Sequence, residues 1–154
     1  MELTEQTKNM IIEEYEAFKE EQYAGKSKEE RKALGQYFTP AELSIQMVEM
    51  TKYDDLSDKK ILDPCCGSGN LLAACILAGA NPKNIYGNEL DLDMLKLCRK
   101  RLDKLCDKYG FERVPEYQLH RGNALDPHAI DIDSFNKDYK YTEYIPVAKN
   151  KSKR

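Results

Sequence analysis

The most informative stretch of this 154-residue chain is Ile61-Leu62-Asp63-Pro64-Cys65-Cys66-Gly67-Ser68-Gly69-Asn70-Leu71-Leu72. Its apolar beginning predicts a short buried strand, its glycines predict a tight turn, and its last residues predict the start of a helix that ends near Gly79. Glycine allows both a sharp bend and a close approach of backbone N–H groups to a bound molecule. Gly67 and Gly69 therefore mark either an ordinary strand-to-helix turn or a ligand site.

Two classes of ligand use such a turn. Dinucleotide-dependent oxidoreductases have G-x-G-x-x-G, in which the third glycine lets helix and strand pack beside a pyrophosphate. Here Leu72 occupies that third position, and no basic residue lies near the turn. S-adenosylmethionine (SAM) needs the same close approach but has no phosphate to hold. The turn therefore favours SAM over NAD.

Residues 84–89 are predicted to form a second strand that ends in Glu89, twenty residues after Gly69. A carboxylate at the tip of the second strand of a doubly wound sheet can accept two hydrogen bonds from ribose hydroxyls. A helix over 91–109 with its basic residues outward follows, then a strand at 116–120 and a candidate fourth strand at 139–147. The pattern predicts an α/β fold: a partial Rossmann-like sheet of three to four mainly parallel strands with flanking helices and an N-terminal helical segment.

Composition limits the remaining possibilities. With 41% apolar residues the chain can bury one core, and its formal net charge of −3 gives no general attraction to nucleic acid. Two histidines and five cysteines without a C-x-x-C pair argue against a metal site. The sequence has no signal peptide and no apolar run that could span a bilayer, so we expect a reduced, cytoplasmic protein without a membrane partner.

Four segments resemble motifs of one enzyme family. D-P-x-x-G-S-G at 63–69 resembles motif I, and G-Q-Y-F-T-P at 35–40 resembles motif X, of the class I SAM-dependent adenine-N6 DNA methyltransferases. The version of motif X is similar to that of the methylase subunits of type I restriction-modification systems. Y-G-N-E-L-D at 86–91 resembles motif II. G-N-A-L at 122–125 resembles motif III, with Asn123 where the family has an acid. The resemblance covers only the N-terminal, SAM-binding half of the family.

The resemblance implies a role for each matching residue. Tyr37 and Phe38 would form one wall of the cofactor pocket, and Thr39 would form a hydrogen bond with the carboxylate of the cofactor. Asp63 would face the methionine amino group, directly or through water. In motif II, Glu89 would bind the ribose and Leu90 would lie against the adenine. In motif III, Asn123 would accept a hydrogen bond from the amino group of that adenine. The full set of predicted cofactor-binding residues is Tyr37, Phe38, Thr39, Asp63, Cys65, Gly67, Gly69, Glu89, Leu90 and Asn123.

The catalytic residues of the family are not recognisable. Its amino-methylating members carry Asp, Asn or Ser followed by Pro-Pro and Tyr or Phe, which bind the flipped base. No such tetrapeptide occurs in this sequence, and Asp126-Pro127-His128 is the nearest string. We expect SAM binding with little turnover by the chain alone, or activity completed by a partner. The alternative is a non-catalytic regulatory module that acts by protein contact or by sequestering SAM.

The predicted organisation has three parts: an N-terminal helical segment over 1–34, a truncated methyltransferase-like domain over 35–148 and a basic tail over 149–154. Within the second part, Thr39, Pro40 and Glu42 predict a capping box at the start of a helix. A partial sheet leaves one strand with an open edge, which invites pairing. We therefore expect a homodimer, or docking onto a partner methyltransferase or specificity subunit, with DNA as a further partner.

Overall fold

The computed structural model describes residues 1–33 and 36–125. Over these residues the chain folds into helices around one small sheet. In chain order the elements are α1 (Glu5–Tyr23), α2 (Lys28–Ala33), α3 (Ala41–Glu49), β1 (Ile61–Asp63), α4 (Asn70–Leu77), β2 (Ile85–Glu89), α5 (Leu92–Tyr109) and β3 (Leu119–Arg121). Short 3-10 turns at Pro82–Asn84 and Glu116–Gln118 lead into β2 and β3. No helix in these ranges is long and apolar enough to cross a membrane.

The three described strands are parallel, in the order β1-β2-β3. Ile61 pairs with Ile85, and Gly87 pairs with Leu119. Helices α4 and α5 form the two crossovers, as parallel pairing requires. The predicted α/β fold with a partial Rossmann-like sheet is confirmed. The candidate fourth strand at 139–147 lies outside the described residues, as does the predicted basic tail.

The core lies between the sheet and the helices. Helix α4 is buried almost all round, whereas α5 buries one stripe that includes Leu95, Cys98 and Leu102. Helix α1 is capped by Thr4, whose hydroxyl accepts a hydrogen bond from the Thr7 N–H. Its Ile11 joins the same core cluster as α3, α4 and α5. The predicted boundary between residues 34 and 35 falls on the two residues between the described ranges.

Two local predictions were wrong. Pro40 has φ −63° and ψ 158°, so it is extended and α3 begins only at Ala41. Thr39 therefore lies one residue too early for its hydroxyl to reach the first helical turn, and no side chain caps α3. The second error concerns α5, whose basic residues were predicted to face outward. Arg101 is instead fully buried, because Glu14 of α1 pairs with it.

Candidate cofactor site

The turn after β1 has the backbone that its glycines predicted. Gly67 has φ +54° and Gly69 has φ +89°, in the left-handed region that side chains other than glycine rarely adopt. The Cys66 N–H donates to the Asn88 carbonyl at 2.9 Å, which attaches the turn to the end of β2. Gly69 then caps α4. The turn is thus held against the second strand with the N–H of Gly67 facing the edge of the sheet.

The two glycines face different surroundings. A Cβ on Gly67 would have only the Phe38 ring near it, at 4.0 Å from Cδ1, across an open cleft. A Cβ on Gly69 would lie 2.8 Å from the Cys98 Sγ, closer than such atoms can approach. Gly67 therefore keeps space free on the open side of the turn. Gly69 lets the turn pack against α5.

Glu89 connects the end of β2 to this turn. Its Oε1 accepts the Gly67 N–H at 2.9 Å, and its Oε2 accepts the Asp91 N–H at 2.8 Å. Burial raises the pKa of the Glu89 carboxyl above its ordinary value, although these backbone N–H groups oppose the rise. A carboxylate has about four acceptor positions, so two hydrogen bonds fix its orientation and leave positions for a ligand.

Asp91 attaches Lys26 and Gln36, which lie in the loop region before Tyr37, to the same end of β2. Its Oδ1 caps α5 by accepting the N–H groups of Asp93 and Met94, and its Oδ2 accepts from Lys26 and from Gln36 Nε2. Burial alone would raise the pKa of Asp91, but the bonds from Lys26 and Gln36 outweigh it and lower that pKa. Asp91 therefore fastens two residues that precede the predicted aromatic wall, of which Gln36 is the direct neighbour of Tyr37.

A cleft of about 680 Å³ opens between this loop and the strand ends. Tyr37 is 78% exposed along it, whereas Phe38 is half-buried and packs edge-on against Tyr23 at 5.1 Å. Six of the predicted residues line the cleft: Tyr37, Phe38, Cys65, Gly67, Glu89 and Leu90. Six further residues line the cleft without having been predicted from the sequence: Gln36, Asp91, Leu92, Asp93, Met94 and Arg121.

The other four predicted residues do not line the cleft. Gly69 faces α5, and Thr39 is half-buried. Asp63 accepts the Cys65 N–H at 3.1 Å, and Asn123 accepts the Leu125 N–H at 2.9 Å, so each closes a local turn. The carboxamide of Asn123 thus supports the start of the segment that follows β3. Its predicted contact with an adenine stays a prediction, as do the roles of Thr39 and Asp63.

The electrostatic character of the cleft is acidic. Within residues 1–33 and 36–125, its charged lining consists of Glu89, Asp91, Asp93 and one cation, Arg121, whose Nε donates to the Leu90 carbonyl at 3.3 Å. Burial raises the pKa of the Cys65 thiol, and the neighbouring Glu89 and Asp63 raise it further. A cationic ligand would therefore be stabilised here, and a polyanionic one would not.

The sequence of this region matches a known family. The model of the N-6 DNA Methylase family matches residues 3–102, which include the glycine turn, Glu89 and most of α5. The chain belongs to the N-6 DNA methylase family. The predicted membership of the adenine-N6 methyltransferases is therefore confirmed for the N-terminal part of such an enzyme. The matched residues also include the whole of α1.

One curated relative of this chain is the type II methyltransferase M.VspI of Vibrio sp. (strain 343). The two are 38% identical over 72 residues, which are 47% of this chain and 17% of that protein. The match thus spans less than a fifth of the relative's length. No solved structure matches this chain.

The burial of Asp63 gives a first prediction. Burial raises the pKa of this carboxyl above its ordinary value of 3.8, so the folded chain holds the proton more tightly than the unfolded chain. The free energy of unfolding must then fall as the pH rises from the ordinary pKa through the raised one. Asn can accept the same Cys65 N–H without carrying charge. We expect Asp63→Asn to be at least as stable as the wild type at neutral pH, and the two to converge in acid.

Urea unfolding of both proteins from about pH 3.5 to pH 7 measures this difference. Other titrating groups are common to both and cancel. A wild type that becomes more stable than Asp63→Asn as the pH rises would show that burial is not the dominant influence on this carboxyl.

Proposed function

We propose that this chain binds SAM in the cleft and forms the cofactor-binding part of an adenine-N6 DNA methyltransferase. The observation that carries the proposal is the position of Glu89. Its carboxylate is oriented by the Gly67 and Asp91 N–H groups at the mouth of the cleft, with acceptor positions left over. Such a carboxylate suits the paired hydroxyls of a ribose.

The charge of the cleft supports SAM over a dinucleotide. SAM carries a positive sulfonium and an ammonium group, whereas NAD carries an anionic pyrophosphate. Glu89 is partly desolvated, and the only lining cation among the described residues is Arg121. A positive ligand would reduce the cost of keeping Glu89 ionised, while a pyrophosphate would increase it.

The proposal gives the chain's own residues these tasks. Glu89 accepts the ribose hydroxyls, and Gly67 keeps the space beside them free of side chain. Leu90 and Phe38 offer apolar surface to the adenine and the thioether region, and Tyr37 covers the open side. Thr39, Asp63 and Asn123 are proposed to bond the amino-acid and adenine ends of the ligand. When bound, SAM supplies the activated methyl group.

Methyl transfer is proposed to need residues beyond these 154. The base-binding tetrapeptide of the family does not occur in the sequence, and the matched part is 17% of the length of the relative M.VspI. We therefore propose that the isolated chain binds SAM with little or no turnover. The missing tetrapeptide equally favours the second candidate, a regulatory module that binds SAM without transferring its methyl group.

A partner is proposed to complete the sheet. Among the described residues, only one edge of β1 is paired. Beside β1 lies an apolar groove of about 410 Å³ that includes Met50, Tyr53 and Leu56. We propose that a second copy of the chain docks at this edge. Light scattering should then give a dimer mass, and a monomer at high concentration would instead favour a different subunit as the partner.

Calorimetry of the 154-residue chain tests the proposed ligand. We expect SAM and its demethylated product to bind with micromolar dissociation constants, about −8 kcal/mol, and NAD to show no heat of binding. Adenosine, which keeps the ribose but lacks the cationic part, should bind more weakly than SAM. Binding of NAD without binding of SAM would overturn the proposal.

A transfer assay separates the two candidate functions. Labelled SAM is incubated with adenine-containing DNA in two reactions. The first contains the chain alone, and the second contains the chain together with an extract of the cells from which it was purified. Transfer restored by the extract supports a methyltransferase completed by a partner. Tight SAM binding without transfer in either reaction supports the regulatory module.

A further inference from the structure

Arg101 occupies an unusual place for a cation on a surface helix. Its residue exposure is 1%, whereas the other basic residues of α5 reach solvent with at least part of their side chains. A buried guanidinium is costly unless every donor is satisfied. Its partners therefore indicate what this residue holds in place.

The guanidinium binds two elements at once. Its Nε and Nη2 donate to the two carboxylate oxygens of Glu14 on α1, each at 2.5 Å. Its Nη1 donates to the Ser68 carbonyl at 3.4 Å and to the Asn70 side-chain oxygen. The Phe18 ring covers it, with the guanidinium carbon 5.5 Å from the ring centroid. Arg101 thus joins α1 and α5 to the glycine turn and to the first residue of α4.

The turn is also held through the side chain of Ser68. This residue is 1% exposed, and its hydroxyl donates to the Gln22 Oε1 of α1 at 2.6 Å. Ser68 lies between Gly67 and Gly69, the two residues with the least intrinsic backbone preference in the turn. On one side the Gly67 N–H bonds Glu89, and on the other the Ser68 carbonyl bonds Arg101. The turn is therefore restrained from both sides.

We propose that Arg101, paired with Glu14, is a positioning residue that sets the backbone of the turn at residues 67–69 for its ligand. With regard to SAM, this inference rests on the function proposed above. A bidentate arginine–carboxylate pair has a fixed planar geometry, so it transmits the position of α1 to the Ser68 carbonyl. The two glycine backbones on either side of Ser68 would otherwise sample several conformations. The N-terminal helix is therefore part of the ligand-binding apparatus.

The role differs from a general contribution to stability. Buried ion pairs often add little net stability, because desolvation offsets their attraction, and they are retained in some proteins for conformational specificity. A positioning role predicts a local change at the turn when Arg101 is altered. A purely structural role predicts a change spread over the whole core.

Arg99 provides a matched control on the same helix. Its Nη1 and Nη2 donate to the Val114 and Pro115 carbonyls at 2.6 Å and 3.1 Å, and it pairs with Asp103. It therefore also fastens a loop to α5, but a loop away from the glycine turn. Arg99→Met and Arg101→Met both remove a guanidinium from backbone carbonyls and keep the aliphatic stem.

The experiment compares wild type, Arg101→Met, Arg101→Lys and Arg99→Met by amide hydrogen exchange and by calorimetry with SAM, at a temperature where each protein is folded. We expect Arg101→Met to speed exchange in the peptide that covers 65–72 and Arg99→Met to speed it around 112–118. SAM affinity should fall about tenfold or more in Arg101→Met and by less than about twofold in Arg99→Met, since small displacements of positioned groups are costly. Arg101→Lys keeps the charge but loses the bidentate geometry of the guanidinium. Its exchange rate at 65–72 and its SAM affinity should lie between those of the wild type and Arg101→Met.

The outcomes separate the two proposals. If Arg101→Met does not fold, Arg101→Lys and Glu14→Gln provide the same comparison with a smaller disturbance. Unchanged exchange at 65–72 in a folded Arg101 variant, or an equal increase in both peptides for both arginines, would overturn the positioning role. The wild type could also fail to bind SAM while the two arginine variants still differ in amide exchange as expected. That result would overturn the proposal that SAM is the ligand and would still support the positioning of the turn by Arg101.

Discussion

Replacing Gly67 by valine should abolish SAM binding while leaving most of the fold intact. The new side chain would enter the cleft in the direction of Phe38, whose ring is 4.0 Å from the position of the added Cβ. It would also occupy the space beside the Glu89 carboxylate that Gly67 now bonds. We expect a loss of affinity on the order of 100-fold or more, about 2.7 kcal/mol.

Strain must be separated from occlusion in this variant. Gly67 has φ +54°, so any side chain there costs about 1–2 kcal/mol of stability. Gly110, which ends α5 at φ +72°, would impose a similar backbone cost, and a Cβ there would have nothing within 4 Å. Gly110→Val should therefore lower the urea midpoint about as much as Gly67→Val without changing SAM affinity. Equal affinities for SAM in both variants would mean that the cleft is wrongly placed.

Replacing Gly69 by alanine should destabilise the protein more than any change at Gly67. The added Cβ would lie 2.8 Å from the Cys98 Sγ, a contact that forces the turn or α5 to move. Overpacking of this kind costs about 1–3 kcal/mol, and the left-handed backbone at φ +89° adds about 1–2 kcal/mol. Thermal unfolding should show a fall of several degrees or an unfolded protein.

A second substitution identifies the cause. Cys98→Ala removes the sulfur, and the next atoms, Cys98 Cβ at 3.7 Å and Leu102 Cδ2 at 3.8 Å, are at ordinary contact distances. The double variant Gly69→Ala/Cys98→Ala should therefore be more stable than the sum of the single effects predicts, by about 1 kcal/mol or more. Strict additivity would show that backbone strain, and not the contact with Cys98, explains the effect of Gly69→Ala.

Much of the fold could be predicted because its signals are local. The apolar strand at 61–63, the glycine pair and the acid at the end of β2 each follow from a few neighbouring residues. The helix predicted over 91–109 likewise agrees with α5, which the structure caps with Asp91 and ends at Gly110. Six of the ten predicted site residues accordingly line one cleft at the ends of the strands.

The remaining features depend on distant partners. Charge periodicity placed Arg101 on the surface because nothing near it in sequence indicates that Glu14, 87 residues away, will pair with it. Gly69 resembled a ligand-binding glycine, but only the packing of α5 shows that Cys98 takes its space. The attachment of Lys26 and Gln36 to Asp91 likewise joins residues 55 or more positions apart. Patterns within one helix or turn cannot report such contacts.

The central claim is that Glu89, oriented by the Gly67 N–H, receives the ribose of SAM in the cleft. A crystal structure of the chain with SAM tests it most directly. We predict both ribose hydroxyls within hydrogen-bonding distance of the Glu89 carboxylate, at about 2.6–3.0 Å, with the adenine against Leu90. Density for SAM elsewhere on the chain, or a Glu89 side chain turned away from the bound ribose, would contradict the account.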